Sequence, residues 1–221
     1  MESLVIEADP GVMPYVRSEV RNGVLHLYLD GRFWRQGNIN AITLNATIVM
    51  RDLDYVTLSG MSNLVVEDLF TPERFRFNGR GVSSLAINLN TNQLEMELSG
   101  VSTIEINANV SGYSRLNSSG VSTITGSLIT EQAIFDYNGT GAVTLTGSAT
   151  NANINAFGAS NLHLVNFPIR TAIVNTSGAS NITINATESL IINASGVSTV
   201  RYTGTTNVQK SNSGMSTVSR L

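Results

Sequence analysis

Cysteine is absent from this chain, which excludes disulfide bonds, thiolate metal sites and cysteine nucleophiles. Charged residues make up only 13% of the sequence and the formal net charge is −3, so neither nucleic acid nor an anionic membrane is indicated as a partner. No stretch approaches the roughly 18–20 apolar residues that a membrane-spanning helix needs. Asparagine, serine, threonine and glycine occupy the positions between the apolar residues instead.

The sequence is dominated by a short repeat, of which Gly100-Val101-Ser102-Thr103-Ile104 is an example. Its glycines recur every 18 to 21 residues. A period near twenty residues indicates a repeat architecture, in which each unit buries its apolar side against its neighbours. The repeat glycines are Gly60, Gly81, Gly100, Gly120, Gly139, Gly158, Gly178, Gly196 and Gly214.

Apolar residues alternate with polar residues on both sides of each glycine. They stand four residues before it and four and six residues after it, as Met96, Ile104 and Ile106 do around Gly100. This alternation is typical of strands with one buried face, and helical spacing is absent. A unit of about 19–20 residues made only of short strands and turns predicts an all-β fold, a single-stranded parallel β-helix.

A serine two residues after the glycine is predicted to point inward, at a corner where only small residues fit between stacked coils. Its hydroxyl is expected to bond to another serine or to the bending backbone. An alternative, in which the alternation flips and turns Val101, Val121 and Val197 inward, stays open. The predicted corner residues are Gly60, Ser62, Gly81, Ser83, Gly100, Ser102, Gly120, Ser122, Gly158, Ser160, Gly178, Ser180, Gly196, Ser198, Gly214 and Ser216.

The first residues lack the repeat. Residues 1–38 are predicted to form strands and a hairpin that cap the solenoid, because Asn22-Gly23 between two strand-like runs is a strong hairpin signal. Residues 39–221 are predicted to form the rungs, beginning with an early rung over 39–58, in one continuous domain with the cap. Lys210 and Arg220 take core positions of the last rung, which is typical of protection of an open sheet edge.

The repeat resembles a bacterial family described as putative autotransporter adhesin, head GIN domain, which is common in Bacteroidetes and has no established function. The segments that carry the resemblance are Ser99-Gly100-Val101-Ser102-Thr103-Ile104, Ser177-Gly178-Ala179-Ser180-Asn181-Ile182, the run from Val200 to Ser216, and the opening Val5-Ile6-Glu7-Ala8-Asp9 with its hairpin. The resemblance covers nearly the whole chain. It implies a right-handed parallel β-helix, an extracytoplasmic location and a role in adhesion, and it brings no catalytic residues.

The sequence begins directly with the strand-like run Ser3-Leu4-Val5-Ile6, without a signal peptide. Taken alone, this start leaves either a cytoplasmic protein or a chain from which the signal has been removed. The resemblance favours the second interpretation.

An enzyme of the polysaccharide lyase or hydrolase class would need clustered carboxylates along one face. Glu95 and Glu97 stand two residues apart on one face of a strand. They are predicted to belong to a solvated outer face, and a cation site is the less favoured alternative. Neither catalytic residues nor a metal or other cofactor is predicted, and the histidines, His26 and His163, are expected at the surface. The acidic residues between Leu98 and Val200 share no column, and these are Glu105, Glu131, Asp136 and Glu188.

Binding to cell-surface carbohydrate or protein is the favoured functional class. One outward column contains polar residues that suit such surfaces, and these are Thr103, Thr123, Asn161, Asn181, Thr199 and Thr217. A solubilising surface, a structural envelope component and a homo-oligomer through the solenoid ends or faces are open alternatives. The predicted contact site is Arg32, Phe33, Trp34 and Arg35, in the loop from Gly31 to Gly37. The alternative is that Trp34 seals the end of the solenoid.

Overall fold

The computed structural model describes residues 2–35, 42–204 and 207–221, and the chain divides into two compact units, Met1–Arg51 and Asp52–Leu221. The strands of the first unit are β1 (Ser3–Ala8), β2 (Val16–Arg21), β3 (Val24–Leu29) and β4 (Leu44–Val49). Those of the second unit are β5 (Tyr55–Leu58), β6 (Met61–Phe70), β7 (Arg74–Ser118), β8 (Val121–Tyr137), β9 (Thr140–Ala156), β10 (Ala159–Thr176), β11 (Asn181–Ala194), β12 (Thr199–Thr203), β13 (Asn207–Asn212) and β14 (Thr217–Arg220). No helix in the described ranges is long and apolar enough to cross a membrane.

The first unit contains two antiparallel strand pairs. The hairpin of β2 and β3 confirms the expectation drawn from Asn22-Gly23, and both residues have positive φ, at 51° and 78°. This backbone matches the right-handed twist of the two strands. Short 3-10 turns lie at Met13–Tyr15 and Phe33–Arg35, and Val12 and Phe33 are buried.

The segment from Leu44 to Val49 differs from the early rung predicted over 39–58. It pairs antiparallel with β1, with Leu44 opposite Ala8 and Val49 opposite Ser3. A period of two predicts a strand but carries no information about the direction of its partner, so the prediction of a parallel coil here was wrong. The predicted boundary at residue 38 and Gly37 of the predicted loop lie outside the described residues.

The second unit is the predicted parallel β-solenoid, with about nine coils. The aliphatic column four residues after each glycine is in register from one coil to the next: Ile104 pairs with Ile124, and Ile124 with Val143. Leu162 continues the column between Val143 and Ile182. Because the same apolar column is buried in each coil, the core is continuous along the unit.

The alternation does not flip at the glycine corner. Ser102 and Ser122 are buried, whereas Val101 and Val121 are 49% and 51% exposed. The serine column therefore points inward, as the sequence predicted, and the alternative orientation of the valine column is excluded. The inward hydroxyls find the partners that burial requires: Ser83 Oγ lies 3.2 Å from Ser102 Oγ.

The repeat glycines stack directly on one another. A Cβ atom on any of the eight from Gly81 to Gly214 would lie 2.0 to 2.9 Å from the carbonyl oxygen of the repeat glycine one coil earlier. At Gly120 that distance is 2.1 Å, and the atom that blocks the space is backbone. The corner therefore requires glycine for steric reasons, in addition to the positive φ that several of these residues adopt, such as +120° at Gly100.

Candidate functional site

The outward surface of the solenoid carries an open groove of about 440 Å³. Residues 71–73, 90–92 and 109–111 and Ile129 line it, so that four successive coils contribute. A volume of this size lies within the range of small-molecule sites in proteins. We refer to this feature, with these lining residues, as the groove.

The groove follows the second corner of the coils, where the register between neighbours shifts. One such shift lies between Val110 and Tyr113. Threonine hydroxyls bind the bending backbone there: Thr130 Oγ1 donates to the Gly112 carbonyl oxygen at 3.2 Å. The walls of the groove are thus fixed by hydrogen bonds between coils and do not depend on a ligand for their shape.

Hydrogen bonds between side chains link the coils along the groove. Ser111 Oγ donates to Asn92 Oδ1 at 3.2 Å, and Asn92 Nδ2 donates to Glu73 Oε1 at 3.0 Å. Next to this series of hydrogen bonds, Asn109 Nδ2 donates to Asn90 Oδ1 at 3.1 Å. The groove therefore presents oriented carboxamide and hydroxyl groups on a rigid parallel scaffold.

A second polar cluster spans three coils of the solenoid. Arg76 Nε donates to Glu95 Oε2 at 2.8 Å, and the Tyr113 hydroxyl donates to Glu95 Oε1. The hydrogen bond from Tyr113, followed by the contact with Arg76, holds the pKa of the Glu95 carboxyl below its ordinary value. The same bond raises the pKa of the Tyr113 hydroxyl. Glu95 is thus an engaged, half-buried carboxylate, which differs from the solvated outer face expected for it, whereas Glu97 is exposed as expected.

An asparagine ladder runs along the later coils. Asn155 Nδ2 donates to Asp136 Oδ1 at 2.7 Å, Asn175 Nδ2 to Asn155 Oδ1 at 2.9 Å, and Asn193 Nδ2 to Asn175 Oδ1 at 2.9 Å. Asn155 and Asn175 each form hydrogen bonds to the residues before and after them in the stack, which fixes their rotamers. The ladder shows how strictly the outward side chains keep the coil register.

The model of the family described as "Putative auto-transporter adhesin, head GIN domain" matches residues 1–115 and 111–206. The chain belongs to this family. The resemblance that the repeat motifs predicted is therefore confirmed. No curated protein matches this head GIN chain.

Solved structures with the same fold come from two species of Parabacteroides. A "putative adhesin" from Parabacteroides merdae has a TM-score of 0.68 at 20% identity, over 100% of this chain and 83% of that one. A "putative adhesin" from Parabacteroides distasonis has a TM-score of 0.66 at 20% identity, over 100% and 84%. A "Putative lipid binding protein" from the same species has a TM-score of 0.67 at 16% identity, over 100% and 84%. At these identities the likeness shows the fold alone.

The contact site predicted from the sequence lies in the first unit, at the 3-10 turn Phe33–Arg35. Phe33 is buried and packs against Tyr15, with ring centroids 5.7 Å apart. Trp34 stands edge-on to Phe33 at 5.3 Å and is 60% exposed. Arg35 is also exposed. The turn thus divides the predicted residues into a buried anchor, Phe33, and an exposed pair, Trp34 and Arg35.

Arg32 is bound to a neighbouring carboxylate. Its Nε and Nη2 atoms donate to Asp30, with the shortest distance 2.7 Å from Nη2 to Oδ2. The hydrogen bonds from Arg32 hold the pKa of the Asp30 carboxyl well below its usual range. Arg32 therefore holds the loop in place through Asp30, and its guanidinium is only partly available to a ligand.

The acidic residues and histidines considered for catalysis do not converge. Within the described ranges no three His, Cys, Asp or Glu side chains are grouped so that they could hold a metal ion. Glu188 forms an ion pair with Arg170. The exposed members of this set are His26, His163, Glu105, Glu131 and Glu188.

Sequence reasoning missed both the groove and the Arg76–Glu95 pair. The signal was available in the repeat spacing: Arg76 and Glu95 each stand five residues before their glycine, and Asn90 and Asn109 each stand nine residues after theirs. Such columns are visible once polar positions are aligned in the same way as apolar ones.

Proposed function

We propose that this protein is a non-catalytic, extracytoplasmic binding protein that attaches to carbohydrate or protein surfaces through the outward side of its solenoid. The observation that carries the proposal is the register of the outward polar side chains. Thr103 pairs with Thr123, and Asn161 with Asn181. Ala142 separates the threonine pair from the asparagine pair in this column. Within each pair, two like groups held in register let weak contacts act together at little entropic cost.

Membership of this family supports the proposed function and location. The competing functions are a glycan-active lyase or hydrolase and a structural component of the envelope. They differ in a measurable way, because an enzyme turns over its ligand and a purely structural protein has none.

The experiment is a binding screen of the purified protein on arrays of glycans and of extracellular proteins, followed by a degradation assay on every glycan that binds. We expect binding without turnover. Degradation of a bound polysaccharide would establish an enzyme, and a complete lack of binding on arrays and on cells would leave the structural role.

The exposed pair Trp34 and Arg35 is proposed as a contact site of the first unit, since tryptophan and arginine are frequent at binding hot spots. The test is Trp34→Ala, with Phe33→Ala as the control for folding. Because Trp34 is 60% exposed, we expect its removal to weaken binding and leave the melting temperature unchanged, whereas Phe33→Ala should cost about 3–5 kcal/mol of stability. A loss of stability from Trp34→Ala as large as that from Phe33→Ala would favour a sealing role for Trp34.

A further inference from the structure

We propose that the groove is a binding site for a short, neutral oligosaccharide. The inference rests on the proposed binding function and makes it specific, because it assigns one ligand class to one set of residues. It adds the groove to the contact sites proposed above, the Thr and Asn column and Trp34.

The polarity of the groove selects the ligand class. Among the described residues that line the groove, one has a charged side chain, the carboxylate of Glu73, and none is cationic. A phosphate, sulfate or uronate group would meet a carboxylate without a compensating cation, which disfavours anionic ligands. Carboxamides and hydroxyls, in contrast, match sugar hydroxyls, because each partner both donates and accepts hydrogen bonds.

The side-chain amides of Asn90 and Asn109 use only some of their hydrogen-bonding groups within the protein. Since Asn109 Nδ2 donates to Asn90 Oδ1 at 3.1 Å, both amide N–H groups of Asn90, the second amide N–H of Asn109 and the Oδ1 acceptor of Asn109 have no assigned partner within the described ranges. These groups are held in place by the bond between the two residues, one coil apart, or about 4.8 Å. A sugar that binds them therefore meets groups whose conformational entropy is already reduced.

The groove also has apolar surface for the face of a sugar ring. Ile129 lies at one end of it and is 50% exposed, and Pro72 lies on the wall formed by the first contributing coil. Sites of this kind combine apolar contact with a few placed polar groups. Four coils span three steps of about 4.8 Å, or about 14 Å, so the groove is long enough for a chain of linked sugars.

The test compares two pairs of asparagines on the same strands. Asn90→Ala with Asn109→Ala removes the pair in the groove. The matched control is Asn88→Ala with Asn107→Ala, a neighbouring pair with the same amide-to-amide bond, at 3.2 Å, that does not line the groove. Asn90, Asn107 and Asn109 are exposed and Asn88 is half-buried, and thermal melting checks that both double variants fold alike.

The probes are neutral oligosaccharides of glucose, mannose and galactose, titrated calorimetrically after the array screen. We expect the groove variant to weaken binding at least tenfold and the control variant to change it less than about twofold, because the groove variant alone loses hydrogen bonds to the ligand. Ile129→Asp should weaken binding as well, by replacing apolar contact with a charge.

The outcomes separate the two proposals. Binding of a neutral sugar that both double variants weaken equally, or that neither weakens, overturns the groove and keeps the binding function. So does a wild-type protein that binds only proteins or only anionic glycans. A wild-type protein that binds nothing on arrays or cells removes both proposals.

Discussion

The inward and outward sides of the same solenoid strands follow different rules. On the inward side, a β-branched aliphatic residue recurs from coil to coil: Ile104 is followed by Ile124 and then by Val143, all fully buried. Outward, the neighbouring column changes from Glu105 to Thr125 over the same step. The inward side repeats because each coil packs against nearly identical coils, whereas solvent imposes no such requirement on the outward side.

This difference indicates where function can reside. The Arg76–Glu95–Tyr113 cluster and the groove both lie on the outward side, and both are confined to the earlier coils of the solenoid. The later coils carry other outward contacts, the asparagine ladder that begins at Asp136 and the Arg170–Glu188 ion pair. The outward side thus tolerates changes from coil to coil and can carry candidate sites, whereas such changes on the inward side would disrupt the core.

The sharpest test of this comparison uses two adjacent residues. Ile104→Ala should lower the free energy of unfolding by about 2–5 kcal/mol, because it leaves a cavity between coils. Glu105→Ala should change it by less than about 0.5 kcal/mol, because the side chain is exposed. Urea unfolding monitored by circular dichroism measures both. Equal losses from the two substitutions would contradict the assignment of inward and outward positions.

The repeat glycines extend the comparison, because from Gly81 to Gly214 a side chain would collide with the backbone of the preceding coil. Gly120→Ala should cost about 3 kcal/mol or more, at the upper end for overpacking, because the new Cβ would meet the Gly100 carbonyl oxygen at 2.1 Å. Gly60→Ala is the matched control: φ is +71° but nothing lies within 4 Å, so only the backbone penalty of about 1–2 kcal/mol applies. If thermal and urea unfolding give the same loss for both, the close approach to the Gly100 carbonyl oxygen is not what excludes a side chain at Gly120.

The sequence was sufficient for those features that the repeat imposes on every coil. The parallel solenoid, the inward Ser102 and the hairpin at Asn22-Gly23 follow from period, size and turn chemistry. An inward Ser102 places Val101 outward, and the possibility that the alternation flips at the glycine corner was excluded only by the structure, in which Val101 is exposed. The antiparallel pairing of Leu44–Val49 was also beyond reach, because the partner strand β1 is distant in the chain and its direction leaves no local trace.

The candidate sites were harder to predict because they depend on single coils. Glu95 meets Arg76 across one coil and Tyr113 across the next. Arg76 and Glu95 share one offset from their glycines, whereas Tyr113 stands seven residues before Gly120. A contact between different columns needs the geometry of neighbouring strands as well as the register. The groove lies beside the register shift near Val110, and its column of Asn90 and Asn109 becomes visible only when the polar positions are aligned as well.

The smallest expected effect concerns the charge of Glu95. Its pKa is lowered in the folded state, so its interactions contribute stability that is fully present above the ordinary pKa of 4.5 and is lost as the pH falls through and below that value. The ion pair is partly exposed, and we expect a contribution of up to about 1 kcal/mol. Glu95→Gln should therefore lose less stability than the wild type between pH 7 and about pH 3. Tyr113→Phe, which removes the principal hydrogen bond, should reduce the pH dependence in the same direction.

Glu97→Gln is the control, since this exposed neighbour has no assigned hydrogen bond or ion pair among the described residues. Urea unfolding at both pH values decides the question, and identical pH profiles for the wild type and Glu95→Gln would show that the outward cluster contributes nothing to folding.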